Sequence, residues 1–418
     1  MFATCLSCVG CQKQYPMKVG HYNCQRCNGI LQVEYDYQRL SDRLKQRLTN
    51  KNRFGIWKYK ELLPIQDSSE IVSLREGGTK LLRCKRLGRK LGIKKLYVKD
   101  ETTNPTGSFK DRPMSVAVTK AKEFRVRAVV TASSGNAGAS LSAYAARAGI
   151  ECWVFVPTGT PPGKICQARA YGSKLVIVNG TYSDAFQLAK ICTGELKWFN
   201  VTSTFFNPYT VEGDKTIGYE ISEQLSYDVP DWVLIPVGAG PLLVGCWRGF
   251  KEFESFGWTR GLPSMIAVQA EGCAPIVKAF KEGRSTVEPW GHPRTRVSAI
   301  ADPLQGYPQD GSLALNTVRQ SNGLAEACSD EEIIQAVKLL AETEGIFAEP
   351  SGASSIAALK KLLEEGKIRK GETVVCVVTG AGLKDPNASM KLYGVPFEIE
   401  PNMDEVRKIL KLSCKSDR

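Results

Sequence analysis

From about residue 55 onward, short apolar runs alternate with longer segments whose apolar positions recur every three or four residues. The short runs, rich in Val, Ile and Ala and bounded by turn-forming residues, predict strands at 96–99, 128–132, 152–156, 174–178, 232–237, 265–269 and 373–379. The longer period predicts helices at 114–124, 137–148, 184–193, 213–225 and 352–365. Strand, helix and strand in succession imply an α/β fold of parallel sheets with helices on both faces. In such sheets ligands bind beyond the carboxyl ends of strands, where loops enter helix N-termini, so the chemistry is expected there. Residues 288–322 carry the least regular pattern and read as a surface excursion or mobile loop.

A chain of 418 residues, 43% hydrophobic, can bury a large core and suggests two or three domains. No apolar run reaches the roughly 20 residues that span a bilayer, and the first thirty residues lack the layout of a secretory leader. The formal charge of +13 favours anionic partners. Its densest stretch, Arg83, Lys85, Arg86, Arg89, Lys90, Lys94 and Lys95, is interleaved with Leu82, Leu87 and Leu91 and reads as the solvated face of one amphipathic helix.

Fourteen cysteines change the picture only at the start of the chain, where five fall between Cys5 and Cys27. The others are scattered through apolar segments and read as buried thiols in a reducing cytoplasm rather than as a disulfide framework. Cys8-x2-Cys11 and Cys24-x2-Cys27 have the spacing of a zinc ribbon, two knuckles bringing four thiolates to one tetrahedral ion. Cys5 offers a competing pair with Cys8, but Gly10 and Asn28-Gly29 favour the later knuckle. Four thiolates leave no open coordination position, so the Zn2+ is expected to be structural. His21 and His292 read as surface residues. A ribbon with positive charge also fits a nucleic-acid-binding protein. Dispersed aromatics and the lack of a single-face basic tract speak against nucleic acid as the partner.

Four segments carry candidate chemistry. In Asn104-Pro-Thr-Gly-Ser-Phe-Lys110-Asp-Arg112 a lysine follows a tight turn at a helix start, where Arg112 and the positive helix end are expected to lower its pKa. A neutral amine there can attack an aldehyde. Ser133-Ser134-Gly135-Asn136 follows a strand and opens a helix, an arrangement whose backbone N–H groups suit a carboxylate. Val237-Gly238-Ala239-Gly240 again joins strand to helix and suits a phosphate, although its spacing is not that of a dinucleotide fingerprint. Thr379 ends a strand with a hydroxyl that suits a pyridine nitrogen.

In their order along the chain these segments, with Ser73-Leu-Arg75-Glu-Gly-Gly78-Thr79, Asn207-Pro-Tyr-Thr-Val-Glu-Gly213-Asp-Lys-Thr216, Glu349-Pro-Ser351-Gly352 and Thr379-Gly-Ala-Gly-Leu-Lys-Asp385, resemble the pyridoxal 5′-phosphate (PLP) enzymes of the tryptophan-synthase-beta type, and among them the threonine synthases. The resemblance covers about residues 55 to 390. It implies two three-layer α/β/α domains of PLP fold type II beside the zinc-ribbon-like module. The expected division is a ribbon over 1–35, an extension and first part of the large domain over 36–105, a small domain over 106–215, the large domain over 216–395 and a tail over 396–418.

The resemblance further implies PLP held as a Schiff base by Lys110, which then serves as general base and acid. Asn136 would meet the cofactor's phenolic oxygen, Val237, Gly238, Ala239 and Gly240 its phosphate, and Thr379 its ring nitrogen. Ser133, Ser134 and Gly135 would receive the carboxylate of an amino-acid substrate. The reaction implied converts O-phospho-L-homoserine and water to L-threonine and phosphate in a cytoplasmic homodimer.

Where the family's substrate phosphate binds, this chain departs from its pattern. Thr210 stands where an arginine is usual, Thr204 and Phe205 where other polar residues are expected, Ala137 for threonine, Ala381 for histidine and Pro241 for glycine. Threonine cannot replace a bidentate guanidinium, so charge would have to come from Arg75, Arg112, Lys215 or Lys384. Beta-elimination or beta-replacement on another amino acid, as in a serine or threonine dehydratase or a cysteate synthase using O-phosphoserine and sulfite, therefore stays open.

Overall fold

The computed structural model describes residues 2–39, 54–133, 135–160, 162–388, 390, 393 and 396–416. Three strands, β1 (Ala3–Cys8), β2 (Gln14–Tyr15) and β3 (Leu31–Tyr35), form a small antiparallel sheet at the start of the chain in the order β2-β1-β3. There follow β4 (Leu81–Arg83), α1 (Lys85–Leu91), β5 (Lys95–Asp100), α2 (Asp111–Glu123), β6 (Ala128–Ala132), α3 (Asn136–Ala148), β7 (Glu151–Pro157), α4 (Pro162–Ala170), β8 (Lys174–Val178), α5 (Tyr182–Glu195) and β9 (Phe199–Asn200). The chain continues through α6 (Thr210–Gln224), β10 (Trp232–Pro236), α7 (Pro241–Ser255), β11 (Ser264–Ala270), α8 (Pro275–Lys281), α9 (Pro308–Gln320), β12 (Leu324–Cys328), α10 (Asp330–Glu344), α11 (Pro350–Glu364), β13 (Thr373–Val378) and α12 (Met403–Ser416).

Two further sheets carry the α/β fold. One has four parallel strands in the order β8-β7-β6-β9. The other has six in the order β12-β11-β10-β13-β5-β4, parallel except for β4, which pairs antiparallel with β5. Successive residues of a strand point to opposite faces, and here both faces are apolar and buried. In the larger sheet Val233, Ile235, Val375 and Val377 enter one core, while Leu234, Val374, Cys376 and Val378 enter another. The first of these cores also contains Val130, Ala132 and Phe155 of the smaller sheet, so the two sheets share buried apolar side chains. Helices α6 and α7 cross closely because Gly218 and Gly249 have no side chains. A Cβ on either would lie 2.3 Å from a backbone oxygen of the facing helix.

The structure corrects several sequence expectations. The basic stretch is not one helix: only Lys85–Leu91 is helical, Leu82 lies in β4, and Lys95 begins β5, although the basic side chains are exposed as expected. Residues 288–322 are not wholly irregular, since they include α9. Strands β4, β9 and β12 were not signalled by the apolar pattern. Among the described residues no helix is long and apolar enough to cross a membrane.

Candidate active site

Strands β6, β10 and β13 end in the loops that the sequence singled out, and these loops line one cavity of about 870 Å3. Lys110, Ser133, Gly135, Asn136, Val237, Gly238, Ala239, Gly240 and Thr379 all contribute to its wall. Ser134 lies outside the described residues. The volume falls in the range typical of small-molecule sites, and the placement beyond carboxyl ends of parallel strands is the expected one.

Lys110 is held by its turn from several sides. The side chain of Asp111 accepts Thr106 N–H at 2.7 Å, the Thr106 hydroxyl at 2.6 Å and the Ser140 hydroxyl at 2.6 Å. The preceding backbone pairs with the end of β13, Phe109 N–H donating to Thr379 O at 3.0 Å and Ala381 N–H to Gly107 O at 2.9 Å. Lysine and strand-end hydroxyl are thus fixed to one another by main-chain bonds. The Lys110 Nζ donates to Ser203 Oγ. Although part of its side chain opens to the cavity, the amine is far from bulk solvent, and that desolvation lowers its pKa against the opposing attraction of Asp214, Asp302 and Glu349.

The cause expected from sequence, a neighbouring Arg112, is therefore corrected. Arg112 is fully buried and turned away into a network with Glu101 at 2.7 Å, Glu220 at 2.7 Å and Thr216 at 2.9 Å. This network joins three of the motifs under the site, since Thr79 Oγ1 also donates to Glu101 at 2.6 Å and Gly78 N–H to Glu220 at 2.8 Å.

Also lining the cavity, Gly238, Ala239 and Gly240 run into the N-terminus of α7. Gly240 has φ +110°, and a Cβ there would lie 2.5 Å from Ala314 Cβ, so only glycine fits. A helix start leaves backbone N–H groups without intrahelical acceptors, which suits an anionic oxygen. Asn136, the first residue of α3, donates to Glu349 Oε1 at 2.8 Å.

Sequence reasoning missed Ser203, Asp302 and Gln167, which also line the cavity. Asp302 Oδ1 accepts from Leu304 N at 2.9 Å and from the Tyr307 hydroxyl at 2.9 Å. His292, read as a surface residue, is exposed but stands at the cavity wall. Of the departures from the family pattern, Ala137, Pro241 and Ala381 line the cavity, whereas Thr204, Phe205 and Thr210 do not. Thr210 Oγ1 instead donates to Asn207 O at 2.9 Å, and Phe205 N–H to Asp310 at 2.9 Å.

At the start of the chain Cys8, Cys11, Cys24 and Cys27 bring their four sulfurs within 4.8 Å of one another. Cys5 is not among them, in agreement with the later knuckle. Gln12 and Asn28 adopt the left-handed conformation that turns each knuckle, with φ 59° and 57°.

The chain matches the family model described as pyridoxal-phosphate dependent enzyme over residues 72–380. It is 46% identical over 405 residues to the threonine synthase of Methanocaldococcus jannaschii, covering 97% of this chain and 98% of that one. It is 42% identical to the threonine synthase of Methanosarcina acetivorans, over 97% and 98% of the two chains. In fold it is similar to the processed form of threonine deaminase isoform 2 from Solanum lycopersicum, with TM-score 0.64, 24% identity and coverage of 85% and 94%. With a lysine-bearing turn, a glycine loop and a strand-end hydroxyl around one cavity, and with relatives matched along nearly the whole chain, this protein belongs to the threonine synthase family of PLP-dependent lyases.

Proposed function

We propose that the enzyme converts O-phospho-L-homoserine and water to L-threonine and phosphate at this cavity, using PLP attached to Lys110. The observation that carries the reading is the main-chain pairing of the Lys110 turn with the Thr379 strand end, in the same cavity as a glycine loop that tolerates no Cβ at Gly240. These groups fit the cofactor: the amine for its aldehyde, Thr379 for its ring nitrogen, Asn136 for its phenolic oxygen, and the backbone of Val237, Gly238, Ala239 and Gly240 for its phosphate. When bound, PLP would supply an electron sink that makes the proton on the substrate's amino-bearing carbon, and then those on the neighbouring Cβ, acidic.

The chain's own residues supply the rest. The first turn of α3, with Ser133, Ser134 and Gly135, receives the substrate carboxylate. With its amine free, Lys110 would take protons from Cα and Cβ and return protons to Cγ and Cα, as phosphate leaves Cγ and water adds at Cβ. Its desolvated amine is suited to this because the neutral form, which must act as base, is favoured. Ser203, already hydrogen-bonded to Nζ, orients the amine between transfers. A threonine in place of a carboxylate opposite the ring nitrogen keeps the cofactor a mild sink, suited to elimination and water addition.

The same reading assigns a structural Zn2+ to Cys8, Cys11, Cys24 and Cys27. Tetrahedral Zn–S bonds of about 2.3 Å put sulfurs about 3.8 Å apart. Cys8 and Cys27 are at 3.4 Å and Cys11 and Cys24 at 3.5 Å, within a small adjustment of that geometry.

The deciding experiment incubates purified holoenzyme with O-phospho-L-homoserine and measures both products. Threonine formed in step with phosphate is the expected result. Phosphate-free turnover of serine or threonine to a keto acid, with no reaction of O-phospho-L-homoserine, would replace this reading with the dehydratase one.

A further inference from the structure

Four cations were available in the sequence to replace the absent arginine, and the fold disposes of three. Arg112 is consumed by Glu101 and Glu220. Lys215 is fully buried between Glu212 at 2.7 Å and Glu252 at 3.0 Å. Arg75 is exposed, with its guanidinium over the Phe54 ring at 5.5 Å, and does not line the cavity.

Lys384 does line it, and its position is built rather than incidental. Its stem crosses the turn that carries Lys110 at Gly107, where a Cβ would lie 3.3 Å from Lys384 Cε. Its amine donates to Gln167 Oε1 at 2.8 Å. Gln167 is itself fixed, because its Nε2 donates to Thr106 O at 3.2 Å and contacts the Tyr171 hydroxyl at 3.3 Å. Among the described residues the cavity wall has two lysines and no arginine, and one of the lysines is taken by the cofactor chemistry.

Resting on the reading of the substrate given above, we infer that Lys384, positioned by Gln167, is the group that receives the substrate's phosphate and then the phosphate released. An ammonium has three N–H donors, and Gln167 takes one, leaving two for phosphate oxygens. Burial lowers the pKa of Lys384 in the open site, with Glu349 and Asp111 opposing. A phosphate dianion arriving beside it favours the charged form, so the protonated amine and the dianion bind together. The same pairing answers how a site without the usual guanidinium discriminates a phosphorylated amino acid from its free alcohol: a point charge delivered over Gly107 replaces the fork.

The test compares wild type, Lys384→Gln and Lys384→Arg as holoenzymes. It measures KM for O-phospho-L-homoserine, the inhibition constant of inorganic phosphate, and binding of phosphate-free L-threonine from the absorbance of the bound cofactor. Lys384→Gln should weaken both phosphate-bearing ligands about 10- to 100-fold while L-threonine changes less than about twofold, and Lys384→Arg should recover most of the loss. Equal weakening of all three ligands, or no weakening of any, overturns the assignment. A wild type inert to O-phospho-L-homoserine would sink the substrate reading instead. Binding of inorganic phosphate to wild type, weakened in Lys384→Gln, would still support the role of Lys384; undiminished binding to the variant would end it.

Discussion

Asn136 and Glu349 are joined by a 2.8 Å hydrogen bond that links the first residue of α3, behind the four-stranded sheet, to the N-cap of α11, behind the six-stranded one. Gly380 sits beneath this bond. A Cβ there would lie 2.5 Å from Glu349 Oε1 and 3.2 Å from Asn136 Nδ2. The carboxylate is the movable partner, so an added methyl group would displace it and release the amide.

Gly380→Ala should therefore leave the fold intact at a cost of about 1–3 kcal/mol, typical of overpacking. Its effect on turnover should be larger, about 100-fold, because Asn136 would be misplaced by a fraction of its own length. Urea unfolding and steady-state assay of the same preparation check both. Wild-type turnover with the expected stability loss would show that the Asn136–Glu349 contact does not matter to catalysis.

Lys110→Ala should abolish turnover, a fall of at least about 1000-fold given that it removes both the attachment point and the base. It should also remove the adduct that borohydride fixes between PLP and the wild-type chain. Peptide mapping after reduction is the check. An adduct found on Lys384 or any other lysine in the wild type would overturn the assignment.

The parts of this site carried by local motifs were readable because each is a tight strand-to-helix or turn-to-helix connection whose residue types are dictated by backbone geometry, such as Gly240 with its positive φ. Ser203 was not, because it follows a strand of two residues and meets Lys110 only through long-range folding. Asp302 and Gln167 likewise have no local signature. Strand β12 escaped the apolar pattern because Glu326 interrupts it: that carboxylate is 1% exposed and is neutralised by Lys281, Lys361 and Lys367 from elsewhere in the chain. Helix α10 was not among the predicted helices, although Ser329 and Glu332, which form a reciprocal capping box, carry a start signal for it in the sequence. The lowered pKa of Lys110 was anticipated in direction but not in cause, since only the fold reveals that Arg112 points into a buried ion-pair network.

If zinc occupies the four-thiol site, purified protein should contain one Zn2+ per chain. Thiol-directed release of the metal should melt the N-terminal segment and, because Leu6, Leu31 and Val33 share a core with Val129 and Val154, weaken the four-stranded sheet, while the six-stranded sheet keeps its separate core. Limited proteolysis should then cut first within residues 2–39. A metal-free protein with an uncut ribbon would argue against a structural ion.

The N-terminal segment is held to the rest of the chain in part by Tyr22, whose hydroxyl accepts the buried Asn200 N–H at 3.0 Å and whose ring stacks on Phe206 at 4.7 Å. Tyr22→Phe keeps the stacking and strands that N–H. A loss of about 1–3 kcal/mol in urea unfolding is expected, the cost of one unsatisfied buried donor. Because Asn200 lies three residues before Ser203, a small rise in KM should accompany it.

Asp310 provides a test in pH. It is 2% exposed, and burial first, with the nearby Asp302 charge adding to it, pushes its pKa from 3.8 up to about 8, although accepting Phe205 N–H works the other way. The folded state thus holds a proton that the unfolded chain has lost. Wherever the folded state binds more protons, stability falls as pH rises. This group's contribution is therefore most favourable below pH 3.8, declines through the interval up to about 8, and levels off above it. Asp310→Asn keeps an oxygen for Phe205 N–H without the titrating proton. The variant should gain on wild type steadily as pH is raised from 5.5 to 8, read as the difference in Tm between the two proteins. Other buried carboxyls, including Asp214, whose pKa is pushed up to about 7, titrate in both proteins, so the difference isolates Asp310. A Tm difference independent of pH would mean that Asp310 is ionised throughout and has a cationic partner in solution that its buried surroundings do not reveal.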